Sequence, residues 1–279
     1  MNPDRNIFQW SIPLGRWFAV QVKLSVFFIL IVIVLGFRLG DWRIGLTFGL
    51  MLFVSVLLHE FGHVFAARIT GGDGDEVLIT PFGGLAMCTP ASTFASQFWT
   101  TAGGPVVNLG LCLVTLTAVI QSPHTADSFN PFVFPAVTLA GKSIGAAIPD
   151  LLIILFVTNW LLLLINLIPV HPLDGGRMLH TILASRWERF VARNAYLKIG
   201  SIAGVILLVV GLLMDNTIVM AVAAIVLFLN VMEMSQMQMS EQYDDSFMGY
   251  DFSQGYTSLE RDGEDDGVGP APREREPGM

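Results

Sequence analysis

The sequence predicts an all-α, multi-pass membrane protein of about six transmembrane helices, with a small membrane-associated β-hairpin between the second and third. Three observations carry that reading. Of the 279 residues, 53% are hydrophobic and only 14% charged, and the mean hydropathy is +0.62, far more apolar than a soluble domain of this size requires. Six apolar runs reach spanning length, taking roughly 17–25 residues per helix. One stretch between two of those runs has the pattern of a strand pair instead.

The runs fall near 20–40, 44–67, 95–120, 146–168, 197–214 and 217–234. The first starts late and continues, so it reads as an uncleaved anchor rather than a removable signal peptide. Between the second and third lies DGDEVLITPFGGLAMCT, residues 73–89, two β-prone pieces about a Pro-Phe-Gly-Gly turn. Residues 121–145 read as a loop. Within 174–196 a short helix is expected to open after Asp-Gly-Gly and to bear Arg186, Glu188, Arg189 and Arg193.

Charge divides the chain into a membrane domain, 1–240, and an acidic tail, 241–279. The tail holds 11 Asp/Glu against 3 Lys/Arg, leaving 12 against 12 before it, so the whole net charge of -8 belongs to the tail. Gly, Ser, Asp, Glu and Pro dominate there without periodicity, the composition of a disordered segment. It reads as a site for a regulatory partner or as a solvated extension. No basic footprint for nucleic acid remains. A cytoplasmic N-terminus places nine Lys/Arg inside against Arg38, Arg43 and Lys142 outside, which orients a cell-membrane protein with both termini in the cytoplasm. Cys88 and Cys112 match no metal spacing and read as packing residues.

Polar chemistry interrupts the second apolar run. In HEFGH, residues 59–63, His59 and His63 are four apart, so on a helix both rings leave one face and can hold one metal ion. Glu60 lies beside the first and can take a proton from water. Catalytic zinc uses three protein ligands and an open position, so a third donor has to come from elsewhere. The motif lies toward the cytoplasmic end of its helix, which sets aside His124, Asp127, Asp150 and Asp215 as residues of the opposite side. NLIPVHPLDGGRMLH, 166–180, remains, with His171, Asp174 and His180. Spacing does not choose among these three, and Asp174 also reads as the N-cap of the following helix.

HEFGH together with the N-x-x-P-x-x-x-L-D-G-G of 166–176 resembles the site-2 protease family of intramembrane zinc metalloproteases. The specific motifs cover about 44–180, the expected catalytic core. The resemblance implies one Zn2+ per chain held by His59, His63 and Asp174, Glu60 as catalytic base, and a transmembrane protein cut in the lipid bilayer as substrate. His171 stands where relatives more often carry proline. TAGGPVVNL, 101–109, resembles the family element whose asparagine, here Asn108, helps stabilise the oxyanion; from the residues alone it is equally a small-residue helix-packing patch. Asn166 matches the asparagine that touches the substrate backbone, and its plain alternative is a helix-end residue bonding carbonyls near Pro169. The Phe82-Gly83-Gly84 turn resembles the loop that accepts an unwound substrate as an added strand; a merely structural hairpin is the alternative. No loop is long enough for a PDZ domain.

A metal held by two neutral histidines and one aspartate, beside an ionised Glu60, leaves the site near zero charge. Four polar groups thereby become tolerable at membrane depth. A metal-holding adaptor without turnover or a transporter is the rival class. Transporters show internal repeats and ionisable groups spread across the membrane, whereas these groups cluster at one depth.

Overall fold

The structure, a computed structural model, describes residues 10–80, 83–122, 125–131 and 148–248. The chain divides into two compact units, Met1–Glu233 and Met234–Met279. The first holds the sheet, the bundle and the site. The described part of the second is the end of the last helix.

Strand β1 (Ser11–Trp17) turns back into β2 (Val20–Ser25) through Phe18 and Ala19, both at positive φ, 52° and 64°. That geometry matches the twist of a two-residue hairpin but is unfavourable for side chains with a Cβ. Neighbours compensate it. Arg68 Nη1 donates to the Phe18 carbonyl at 2.8 Å, and the Phe18 ring packs edge-on against Phe61 and Phe65. Ser25 then caps helix α1 (Val26–Leu39), which ends on Gly40 in the left-handed conformation. Asp41 caps α2 (Trp42–Ile69), accepting from the Arg43 amide at 2.8 Å.

The chain next forms β3 (Asp73–Thr80) and β4 (Gly83–Thr89). The sheet order is β1-β2-β3-β4, with β2 parallel to β3 and both outer pairs antiparallel. Val20, Val22, Val77 and Ile79, alternate residues of the two central strands, turn one face onto Val56, Leu57, Phe61 and Val64 of α2. Lys23 and Glu76 pair at 2.7 Å on the other face. The expected hairpin at 73–89 is therefore half of a four-stranded sheet, and the all-α expectation is corrected to that extent. The expected helix from 20 begins at 26, because 20–25 finds a strand partner some fifty residues later.

Helix α3 (Phe94–Ile120) crosses α2 where Gly62 and Gly103 lie backbone to backbone; a Cβ on Gly62 would stand 2.8 Å from the Gly103 carbonyl carbon. Only glycine allows that approach. A short α4 (Thr125–Phe129) and α5 (Ile148–Asn166) follow. Phe156 and Val157 of α5 pack with Cys112 and Val119 of α3. Helix α6 (Asp174–Ala184) opens at Asp174, and α7 (Arg189–Leu213) and α8 (Thr217–Met248) are the last described elements. Arg189 and Arg193 thus belong to α7, while Arg186 and Glu188 lie in the linker before it. Helix α8 also continues into the segment read as tail, up to Met248.

Among the described residues, four helices are long and apolar enough to cross a membrane: Trp42–Ile69, Phe94–Ile120, Phe190–Leu213 and Val219–Met237. Two further apolar helices, Val26–Arg38 and Asp150–Asn166, are shorter. All six apolar runs of the sequence therefore correspond to helices, although two fall below full spanning length among the described residues.

Candidate active site

Helix α2 is buried on the face that carries His59, Glu60 and His63, each no more than 6% exposed. Their helical spacing sets the two imidazoles edge to face at 4.7 Å between centroids and leaves their Nε2 atoms 3.1 Å apart. The break after α5 returns the chain so that α6 begins against this pair. Asp174 Oδ2 stands 3.2 Å from His59 Nε2 and 3.3 Å from His63 Nε2. Gly175 and Gly176 allow this approach, since a Cβ on either would meet the backbone of Leu167, Ile168 or Val170 at 2.5–2.6 Å.

The other two candidates in the 166–180 stretch point elsewhere. His171 Nε2 lies 3.7 Å from Glu233 Oε2, and His180 packs edge-on against Tyr196. Burial pushes both imidazoles below the usual histidine range, so both are neutral at pH 7.

The donor set fits a small tetrahedral metal ion. Ligand bonds of about 2.0–2.1 Å imply ligand-to-ligand edges of about 3.3–3.4 Å, close to the three separations found. Glu60 Oε1 is 4.0 Å from His59 Nε2, too far for the same shell but near enough to act on a group held by it. Asp174 Oδ2 is buried without a hydrogen-bond donor, an orphan that a cation would satisfy. Helix α3 leaves the space: a Cβ on Gly104 would sit 2.6 Å from His59 Nε2 and against the His63 ring.

Neighbouring groups fix the orientations. The His63 Nδ1–H donates to the Thr100 carbonyl at 2.8 Å, leaving the Nε2 lone pair for a metal. The Asn108 amide lies 3.0 Å from His59 Nδ1, its nitrogen facing the ring and its Oδ1 unpaired. Asn108 is completely buried. The Ala86 amide of β4 hydrogen-bonds Glu60, and Gly84 passes so near that any side chain there would collide with the Glu60 carboxyl.

The site opens into a cavity of about 230 Å3, lined among others by Glu60, Gly84, Ala86, Asn166, Asp174 and Arg177. That is room for several waters at ~30 Å3 each. Of the residues expected to touch substrate, Asn166 and Gly84 thus line the cavity, and Gly83 opens β4 opposite Thr80. Phe82 lies outside the described residues. Cys88 also lines the cavity, and burial pushes its thiol up to about 11, which keeps it protonated. Sequence reasoning missed Thr100 and Arg177. Thr100 has no signal of its own, but Arg177 is three residues after Asp174 and shares its helix face.

A histidine pair with a carboxylate between them and a glutamate alongside, buried among apolar helices, defines a metallohydrolase-type centre in a multi-pass membrane protein. Residues 47–211 match peptidase family M50, and the chain belongs to that family. It is similar to a zinc metalloprotease of Methanocaldococcus jannaschii, 28% identical over 224 residues that make up 78% of this chain and 59% of the relative. It is also similar to stage IV sporulation protein FB of Bacillus subtilis, 24% identical over 188 residues, 66% of this chain and 56% of that protein. The chain therefore spans less than two thirds of these curated relatives. Among solved structures it is similar to the site-2 protease from Methanocaldococcus jannaschii, with a TM-score of 0.54 and 28% identity over 80% of this chain and 95% of that one.

Proposed function

We propose that the chain is an intramembrane zinc metalloendopeptidase of site-2 protease type. It hydrolyses a peptide bond within or near a transmembrane segment of a membrane-protein substrate. The observation that carries this reading is the triangle of His59 Nε2, His63 Nε2 and Asp174 Oδ2, 3.1–3.3 Å on each side, with the Glu60 carboxyl at its edge.

His59, His63 and Asp174 are the residues that would hold the ion. Zinc bound there supplies Lewis acidity, polarising a scissile carbonyl and making water acidic enough to ionise near pH 7. Glu60 takes a proton from the attacking water and delivers it to the leaving amine, so one peptide bond and one water become a carboxylic acid and an amine. The Ala86 hydrogen bond and the close Gly84 backbone hold the Glu60 carboxyl in place for both transfers. Two hydrogen-bonded histidine rings keep their Nε2 atoms on the side of the cavity.

A substrate helix hides its peptide bonds and has to unwind before cleavage. Strand β4 is the edge of the sheet and borders the cavity, so an unwound segment pairs with Gly83 to Ala86 and its freed amides and carbonyls are satisfied. Asn166, which also lines the cavity, holds the segment as well. Six crossings with both termini cytoplasmic, and a regulatory partner for the acidic tail, complete the reading.

The test is cleavage of a transmembrane substrate by the full chain in proteoliposomes. Glu60→Gln should lower turnover by about 100- to 10,000-fold while zinc content stays at the parent level. Cleavage that persists undiminished in this variant would overturn the assignment.

A further inference from the structure

The two histidines of the centre are steadied from the same helix, but by unlike groups. His63 Nδ1 faces the Thr100 carbonyl, which can only accept, so that ring has one available neutral tautomer: Nδ1 protonated, Nε2 free. His59 Nδ1 faces the Asn108 amide, which can present either an oxygen or an NH2 group. Turned with its nitrogen to the ring, the amide donates to Nδ1 and forces the proton of neutral His59 onto Nε2, the atom that stands 3.2 Å from Asp174 Oδ2. A protonated Nε2 cannot bind a metal. Turned with its oxygen to the ring, the amide accepts from Nδ1–H and frees Nε2.

No bond at the far end of the amide holds the first orientation in place. Asn108 Oδ1 has no hydrogen-bond partner, so turning the group over breaks no bond there. The side chain is completely buried. It is also separate from the residues lining the cavity, where a donor to a developing oxyanion would have to stand.

We propose that Asn108 is a positioning residue that sets the tautomer of His59: its amide oxygen accepts from Nδ1–H and keeps Nε2 available as a metal donor. The inference rests on the zinc site proposed above. It replaces the expected role of Asn108 at the oxyanion with one exerted through His59. Outer-shell partners of this kind are worth about 10- to 100-fold in metal affinity.

The experiment is zinc affinity by chelator competition on the full chain in detergent, for the parent, Asn108→Leu and Asn108→Asp. Leucine fills the same apolar space without an acceptor; aspartate keeps the acceptor and cannot donate. The expected result is a loss of about 10- to 100-fold for Asn108→Leu, with affinity restored to within about threefold of the parent in Asn108→Asp. Size-exclusion profile and helix content of Asn108→Leu should match the parent, which separates this effect from misfolding. Parent-like zinc binding by Asn108→Leu overturns the inference and leaves the zinc site standing. A parent that binds no zinc overturns both.

Discussion

Helices α2 and α7 are both long and apolar enough to cross a membrane, yet they are built for different neighbours. The more hydropathic one is α7, at 2.2 against 1.8, but only 28% of its apolar stretch is buried inside the protein, against 56% for α2. Helix α7 shows Ile202, Ile206 and Leu213 to the outside at 58–82% exposure, as a lipid-facing surface requires. Helix α2 lies between the sheet, α3 and α5, and there it carries His59, Glu60, His63 and Ser55, all buried. Hydropathy reports what a helix faces outside; the polar groups collect where other protein, not lipid, is the solvent.

The comparison breaks first at the metal. Asp174→Asn removes the anionic member of the triangle, and zinc affinity measured by chelator competition should fall by at least the ~10–100-fold that loss of an outer-shell partner costs. Retention of parent affinity would show that another residue completes the set.

Packing is the next test. Phe156 of α5 is 1% exposed, wedged against Phe129 and Trp160, and Phe156→Ala should cost about 3–5 kcal/mol in detergent unfolding titrations. Ile206→Ala on the outer face of α7 should stay within about 0.5 kcal/mol. Similar losses at the two positions would erase the distinction between inner and outer helices.

A smaller effect separates two glycines of α3. Gly104→Ala pushes a methyl into both histidine rings and should cost about 1–3 kcal/mol, together with metal. Gly110, with nothing within 4 Å of its would-be Cβ, should accept alanine with a gain of about 0.5–1 kcal/mol in helix stability. Smallest is the buried bond from Asn159 Nδ2 to Ser55 Oγ, 2.9 Å, one helical turn before His59. Ser55→Ala should lose only about 0.6 kcal/mol, readable as a shift in the same titration.

Much of this arrangement is legible in the residues. Apolar length marks the helices, because a chain in lipid has no other local solution for its backbone. His59, Glu60 and His63 are legible because they share one helix, where spacing alone fixes their common face. The N-terminal strands are not. Val20 to Leu24 continues the apolar run of α1, and only pairing with Glu76 to Ile79 makes part of it a strand. Sheet formation of that kind depends on a partner that local sequence does not name.

By itself, then, the sequence determined a multi-pass chain with a histidine-glutamate-histidine face in its second apolar helix, and it narrowed the third donor to His171, Asp174 or His180. Tertiary structure alone decided which of these stands 3.2–3.3 Å from both Nε2 atoms. It alone set Asn108 against His59, and made β4 the sheet edge beside Glu60. The reason is one of range. Contacts within a helix follow from 3.6 residues per turn, whereas a contact across a hundred residues depends on where glycines such as Gly62, Gly103 and Gly175 let separate backbones meet.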